Sequence, residues 1–321
     1  MAEKERANPI FTMMVGLPGS GKSTYINKFF KERSIHSSDA IREELSGDVN
    51  NQDINSKVFR VLHKRIKEDL IAGKNVVYDA TNISWKRRKA FLQELSKIPC
   101  TKECIVMATP FEVCLEQNKE RDRVVPYDVI ERMYKNFDIP FYNEGWNHIY
   151  LAYNHYNYPK AYGHWGQFIY DTLDYCQCNP HHNLSLGHHC LNCRKYIEEN
   201  WNNGLSEIKG ELMIAGAIHD NGKPFTQVFT NSKGEPTEYA HYYSHELVGS
   251  YNSLFYEMEE GVDKLLVAAL IRWHMLLHFK KDWSEKTYLK YKKEFSDNEY
   301  LTSIDFWDAL NLLHKADVEA H

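Results

Sequence analysis

The stretch Ile10-Phe11-Thr12-Met13-Met14-Val15-Gly16-Leu17-Pro18-Gly19-Ser20-Gly21-Lys22-Ser23-Thr24 sets the architecture of the first half of the chain. The apolar run Ile10 to Val15 reads as a short buried strand, and Gly16 to Ser23 spells GxxxxGKS directly behind it. Gly16, Gly19 and Gly21, with Ser20 among them, let backbone N–H groups curl around phosphate oxygens. Lys22 places a cation on the β- and γ-phosphates of a nucleotide, and Ser23 offers a hydroxyl to Mg²⁺. From Thr24 to Phe30 the chain reads as a helix whose positive N-terminus faces the same phosphates. ATP and Mg²⁺ are the cofactors this cradle implies.

Downstream, strand and helix patterns alternate. Val58, Leu62, Ile66 and Leu70 repeat at helical spacing, and Gly73 closes that helix. Asn75 to Tyr78 is a buried-strand pattern ending at Asp79, Lys86 to Ser96 is helical, and Cys104 to Ala108 is another strand. The order predicts an α/β domain with a parallel sheet and ligands at the strand ends.

A phosphate loop alone does not separate an ATPase from a GTPase or a kinase, and three further features do. Ser37-Ser38-Asp39-Ala40-Ile41-Arg42 offers a carboxylate to take a proton from an attacking hydroxyl, with an arginine to hold an anionic acceptor. Asp39 by itself also reads as the cap of a helix beginning at Ala40. Asp79-Ala80-Thr81-Asn82 comes next, with Arg87 and Arg88 behind it. Last is Arg121-Asp122-Arg123-Val124-Val125-Pro126, followed by Asp128-Val129-Ile130 and Met133-Tyr134, a lid able to clamp ATP phosphates.

The chain has 321 residues, 43% hydrophobic and 26% charged, enough for two globular domains. No membrane-spanning apolar run occurs, and Met1 to Pro9 lacks the apolar stretch of a secretion signal, so a cytoplasmic location is expected. A net charge of −5 argues against a nonspecific nucleic-acid coat. Two local basic clusters are candidate strand contacts, Lys86-Arg87-Arg88-Lys89 and Lys286, Lys290, Lys292 and Lys293; each also reads as a plain solvated face.

Ala152 to Gly166 is rich in Tyr, His, Asn and Gly and reads as a linker, with domains over 1–153 and 165–321 joined by 154–164. Fragments ending near Tyr153 and beginning near Gly163 are expected to fold separately. The second half reads as helical throughout. Cys190, Cys193 and Ile197 share one face, Leu212 to Ile218 leads into His219-Asp220-Asn221-Gly222-Lys223, and Val262, Leu266, Leu270 and Trp273 lead to His274. Leu310 and Leu313 share a face with Asp317. Groups able to ligate metals thus recur on core-facing stripes, where each is costly to bury unpaired. Adjacent helical residues point about 100° apart, so His219 and Asp220 share a metal only where their helix ends, and Asn221-Gly222 is the expected terminator. A rival arrangement pairs Cys176-x-Cys178 with Cys190-x-x-Cys193 as a four-cysteine zinc site; the first pair is unusually tight for that, and a buried helix face also accounts for Cys190 and Cys193.

The first-half motifs resemble the 5′-hydroxyl polynucleotide kinase family. The resemblance implies Asp39 as general base on a 5′-OH, Arg42 on the acceptor phosphate, Asp79 in support of that pocket, and Arg121 or Arg123 on ATP, with Arg121 favoured. The ordered set His189, His219-Asp220, His245, His274 and Asp317 resembles the HD phosphohydrolase superfamily, especially the form attached to some CCA-adding enzymes. That resemblance implies an all-α domain with His189, His219, Asp220 and Asp317 on one divalent metal and His245 and His274 as further ligands in two-metal members. The metal would be Mn²⁺, Ni²⁺ or Co²⁺, activating water for attack on phosphorus. Lys223 would hold a phosphate oxygen, His182 is a candidate substrate contact, and His188 is a less suitable alternative to His189. Together the halves imply healing of RNA ends, those of tRNA among them: phosphorylation of a 5′-OH, and removal of a 2′,3′-cyclic or terminal phosphate ahead of a separate RNA ligase. The competing expectations are a small-molecule or nucleotide kinase joined to a nucleotidase, and a nucleotide-regulated binding module with an inactive second half.

Overall fold

In the computed structural model the described residues are 8–180, 183–201 and 203–320. The chain divides into two units, Met1–Ile130 with Glu144–Asn154, and Glu131–Asn143 with His155–His321.

The first unit is an α/β fold around β1 (Ile10–Val15), β2 (Ser34–Ser37), β3 (Val76–Asp79), β4 (Thr101–Met107) and β5 (His148–Ala152). The strands lie in the order β2-β3-β1-β4-β5, every pair parallel. Helices α1 (Lys22–Phe29), α2 (Ser38–Ser46), α3 (Asn55–Ile71), α4 (Trp85–Glu94), α5 (Phe111–Lys119) and α6 (Tyr127–Lys135) connect them. Central β1 carries Phe11, Met14 and Val15 at 0% exposure, as expected of a strand covered on both faces. Val58, Leu62, Ile66 and Leu70 are the buried residues of α3, and the turn after it passes through Gly73 at φ +78°. Because the strands run in parallel, the segments following β1, β2 and β3 leave one edge of the sheet. Lys22, Asp39 and Asp79 therefore gather there.

The second unit is mainly helical, with α7 (Trp165–Asp171), α8 (Leu186–Asn200), α9 (Lys209–Ile218), α10 (Lys223–Thr226), α11 (His245–Ser253), α12 (Lys264–Trp273), α13 (Glu285–Glu294), α14 (Glu299–Ser303) and α15 (Phe306–Glu319). Apolar faces of α8, α9, α12 and α15 make its core: Cys190, Cys193, Ile197, Leu212, Leu270 and Leu313 are at 0% exposure. It is not all-α. Strands β6 (Gln227–Thr230) and β7 (Pro236–Tyr242) form an antiparallel hairpin whose connection turns at Gly234, φ +83°.

The expected linker is also revised, because residues 155–163 have partners in the second unit. Tyr162 N–H donates to Phe255 O at 3.0 Å, and Lys264 Nζ donates to Pro159 O. Residues 131–143, expected in the first domain, belong to the second unit as well. The rings of Tyr134 and Phe137 lie 5.6 and 4.6 Å from Tyr251, Phe141 lies 5.0 Å from Phe306, and Arg272 donates to Asp138 at 2.5 Å. Among the described residues no helix is long and apolar enough to cross a membrane.

Candidate functional site

In the first unit Gly19 and Gly21 have φ of +78° and +86°, in the left-handed region, and a Cβ on Gly21 would lie 2.2 Å from Asn154 Nδ2. Gly16 N–H bonds Thr81 O at 3.0 Å, tying the loop to the turn after β3. Ser20 is buried, and its carbonyl accepts from Thr109 Oγ1 at 3.0 Å and Asn154 Nδ2 at 2.7 Å. Ser23 and Thr24 are exposed on the first turn of α1, open to a ligand. Lys22 Nζ donates to Gly16 O at 2.9 Å and Leu17 O at 2.8 Å, folded against its own loop. Burial outweighs the attraction of Asp79 and pulls the Lys22 ammonium down to about 8. Burial also raises the Asp79 carboxyl, opposed by the charges of Lys22 and Arg121.

Asp39 lies in the first turn of α2, whose N-cap is Ser37, so the capping alternative does not hold. Arg42 Nη1 is 2.6 Å and Arg123 Nη1 3.0 Å from Asp39, both on Oδ1. Arg42 is buried, its Nη2 donates to Asn55 at 2.8 Å, and its Nε has no hydrogen-bond partner. A buried N–H left over in this way suits an anionic acceptor. The lid arginines separate: Arg123 reaches Asp39 and Asn50, whereas Arg121 acts on Lys22 and Asp79.

The run Lys86-Arg87-Arg88-Lys89 is not one solvated cationic face. Arg88 is 1% exposed and makes a bidentate pair with Glu144, Nε to Oε2 at 2.8 Å and Nη2 to Oε1 at 2.6 Å. Its Nη1 holds Asn82 O at 2.9 Å, and Asn82 Nδ2 in turn holds Met14 O at 2.9 Å. Arg88 thus braces the turn beside the phosphate loop.

In the second unit six side chains predicted as ligands converge. Each imidazole donates its Nδ1–H to a backbone carbonyl: His189 to Ala320 at 3.3 Å, His219 to Gly216 at 2.9 Å, His245 to Tyr242 at 2.8 Å and His274 to Ile271 at 2.6 Å. Each ring therefore turns its Nε2 inward. The Nε2 atoms of His189 and His219 are 3.2 Å apart, and those of His245 and His274 3.3 Å apart. Asp317 Oδ1 is 3.0 Å from His189 and 3.4 Å from His219. Asp220 lies between the groups, Oδ2 3.3 Å from His219 and 3.5 Å from His189, Oδ1 3.2 Å from His245 and 3.8 Å from His274. Ring nitrogens and carboxylates converging in a buried pocket are a donor set for cations. His189, His219 and Asp220, and again Asp220, His245 and His274, each present ligand atoms within 4.8 Å of one another.

Burial favours neutral carboxyls here, but Lys223 and His219 hold Asp220 well below the usual range, and His219 and His189 do the same for Asp317. Burial with His219 and His245 alongside keeps His274 far below the histidine range, hence neutral. His219 is raised well above 6.5, as Asp220 and the neighbouring thiols and Asp317 overcome the burial that opposes its charge. A proton on His219 and a divalent cation satisfy the same excess of negative charge.

Helix α9 stops at Ile218, which frees His219 and Asp220 to point into one pocket. Gly222 does not terminate it in a left-handed conformation: its φ is −81°, and a Cβ there would lie 2.1 Å from His245 O. Its bareness lets the chain after Asp220 approach the start of α11. Lys223 Nζ is 2.7 Å from Asp220 Oδ2 and donates to Gln177 Oε1 at 2.7 Å, so it screens the Asp220 carboxylate. The four-cysteine alternative does not form: Cys176 and Cys178 are exposed, Cys190 and Cys193 are buried with thiols raised by burial, and no group able to hold a metal among the described residues contains a cysteine. His181 and His182 lie outside the described residues. His188 turns instead to Ser185, 2.7 Å away.

Sequence reasoning missed His278, whose Nε2 is 2.7 Å from Asp317 Oδ2 and braces the oxygen that His189 does not use. It also missed Thr109, Asn154 and Glu144, which hold the phosphate loop and its neighbour from distant positions.

A family model described as an AAA domain matches residues 11–140. L-seryl-tRNA(Sec) kinase of Methanococcus maripaludis is 28% identical over 142 residues, 42% of this chain and 55% of that protein. Transcription factor bHLH140 of Arabidopsis thaliana is 27% identical over 162 residues, 47% of this chain and 17% of that protein. The chain thus spans about half the length of the first curated relative and far less of the second. A solved Pnkp1/Rnl/Hen1 complex has a chain that is 22% identical, with a TM-score of 0.32, covering 39% of this chain and 44% of that one. So low a score adds nothing to the assignment. The first unit is a kinase-like P-loop domain.

Proposed function

We propose that the chain heals broken RNA ends, joining an ATP-dependent 5′-hydroxyl kinase to a metal-dependent phosphoesterase of the HD type that acts on 2′,3′-cyclic and terminal phosphates, so that a separate RNA ligase can seal them. The observation that carries the proposal is Asp220, whose two oxygens divide four inward-pointing imidazoles into two ligand groups. A curated relative of the first half bears a tRNA-linked group in its name, which supports an acceptor carried on RNA.

In the kinase reaction Asp39 takes the proton of the 5′-OH while Arg42 holds the acceptor's phosphate. A bond forms from the 5′-oxygen to the γ-phosphorus, the β–γ bridge breaks, and ADP leaves. Lys22 and Arg121 offset charge on the transferring group, and Ser23 is the side chain placed to hold Mg²⁺.

In the second unit His189, His219, Asp220 and Asp317 would hold one divalent transition metal, and Asp220, His245 and His274 a second. Such cations supply activated water and charge neutralisation at phosphorus. Backbone carbonyls fix the tautomer of each ring, and Lys223 and His278 orient the two carboxylates from the far side.

Asp220→Ala is the test. It is expected to lower metal content and abolish opening of a 2′,3′-cyclic phosphate, leaving 5′-phosphorylation intact. Lys22→Ala is expected to do the reverse. An Asp220→Ala protein with full metal content and full hydrolysis contradicts the assignment.

A further inference from the structure

The segment after ligand His274 carries a feature that hydrolysis at the pocket does not use. A 3₁₀ helix spans His274–Asp282, passes His278, and emerges through exposed Phe279, Lys280 and Lys281 into α13. Helix α13 has no buried residue. Lys280, Lys281, Lys286, Lys290, Lys292 and Lys293 against Asp282, Glu285 and Glu294 give residues 280–294 a net charge of +3, within a chain of net charge −5.

The helix has two distinct sides. Tyr288 stands against Trp307 of α15, ring centroids 5.6 Å apart, and fixes the inward direction. Lys286, Lys290 and Lys293, at i, i+4 and i+7, lie within about 60° of one another and about 140–160° from Tyr288. They form an exposed cationic stripe turned away from the fold. An aromatic pair borders it: Lys290 lies over Tyr291 at 5.7 Å, and Trp283 stacks on Tyr291 at 4.7 Å.

We infer that this basic, aromatic stripe is the track for the phosphodiester backbone of the RNA strand whose 3′ end lies at the Asp220 pocket. The inference rests on the proposed phosphoester chemistry. Charge complementarity argues for a polyanion, and continuity with His274 and His278 argues for the one already held at the pocket.

The experiment compares the full chain with the triple variant Lys286→Gln/Lys290→Gln/Lys293→Gln, whose exposed substitutions leave the core unchanged. The substrates are a 2′,3′-cyclic mononucleotide and a 12-nucleotide single-stranded RNA ending in a 2′,3′-cyclic phosphate. Hydrolysis is measured with Mn²⁺, Ni²⁺ or Co²⁺, and binding of the 12-mer by fluorescence anisotropy across a salt series. The variant is expected to process the mononucleotide at the wild-type rate and to lose about tenfold in kcat/KM on the 12-mer at low salt. Its slope of log affinity on log salt is expected to fall by about 2, since each phosphate contact on a single strand contributes about 0.7. Equal 12-mer affinity and equal slope in the two proteins overturns the inference. In a parallel co-sedimentation with phosphatidylserine vesicles, a loss of vesicle binding with 12-mer binding unchanged also overturns it, marking a membrane surface. Absence of hydrolysis in the wild type with every metal overturns the phosphoesterase reading instead, while anisotropy still decides the track.

Discussion

Replacing Glu144 by Ala should unfold the first unit about 10–20 °C below the wild type. The carboxylate has no exposed side-chain surface and accepts from Arg88 Nε and Nη2, with Trp146 Nε1 adding a bond at 3.0 Å. Removing it takes two carboxylate bonds from a guanidinium that is 1% exposed. Breaking a buried pair in this way costs about 3–5 kcal/mol, a large share of the roughly 5–15 kcal/mol available to a domain. At about 3–4 °C per kcal/mol for a unit of this size, the shift follows. The damage also spreads to function, because Arg88 Nη1 holds Asn82 O and Thr81 O holds Gly16 N–H of the phosphate loop. ATP affinity should fall with stability. Differential scanning calorimetry of the full chain reads the shift. Arg88→Met/Glu144→Leu serves as control, since removing both charges is far less costly than stranding one. A single-variant shift under 2 °C, or a double variant that melts no higher than Glu144→Ala, would show that the pair does not brace the loop.

Asp39→Ala should lower phosphoryl transfer to a 5′-OH oligonucleotide by about 10² or more while ATP still binds; a near-normal rate removes Asp39 as general base. Lys22 has a folded-state value lowered to about 8 from 10.5, so the unfolded chain binds the extra proton between those values and stability rises with pH across that window. ATP favours the charged form, and its affinity should weaken up to about tenfold per pH unit above about 8, with proton uptake visible by calorimetry in buffers of different ionisation enthalpy; affinity flat from pH 7 to 9.5 contradicts this. A fragment of residues 131–321 should melt cooperatively, whereas one beginning at Gly163 should not, because it lacks Phe137 and Phe141, which pack on Tyr251 and Phe306. Equal melting of the two fragments would show that 131–143 contributes nothing to the second unit.

What the sequence reveals is what local spacing encodes. GxxxxGKS between a strand and a helix, the Val58 to Leu70 stripe, and histidines and aspartates at the ends of apolar helix faces are all short-range patterns, and the structure brings the residues of each together. What escapes is set by partners far along the chain. Arg88 sits in a basic run that reads as solvated, and its burial depends on Glu144, 56 residues away. Residues 131–143 continue the lid helix, yet their aromatic rings meet Tyr251 and Phe306. The hairpin of β6 and β7 left a faint signal, Ser232-Lys233-Gly234 between short alternating runs, and its strands are brief enough to pass as loops between helices. Gly222 shows a correct residue with the wrong reason: it was expected to end a helix, and it permits a close approach to His245.

End-group analysis of an RNA bearing a 5′-OH and a 2′,3′-cyclic phosphate, incubated with the full chain, ATP and Mg²⁺ and with Mn²⁺, Ni²⁺ or Co²⁺ supplied in turn, examines both halves in one tube. A 5′-phosphate together with an opened or removed 3′-terminal phosphate in at least one metal is the expected product. An active kinase that leaves the cyclic phosphate and terminal monophosphates untouched with every metal would contradict the end-healing account.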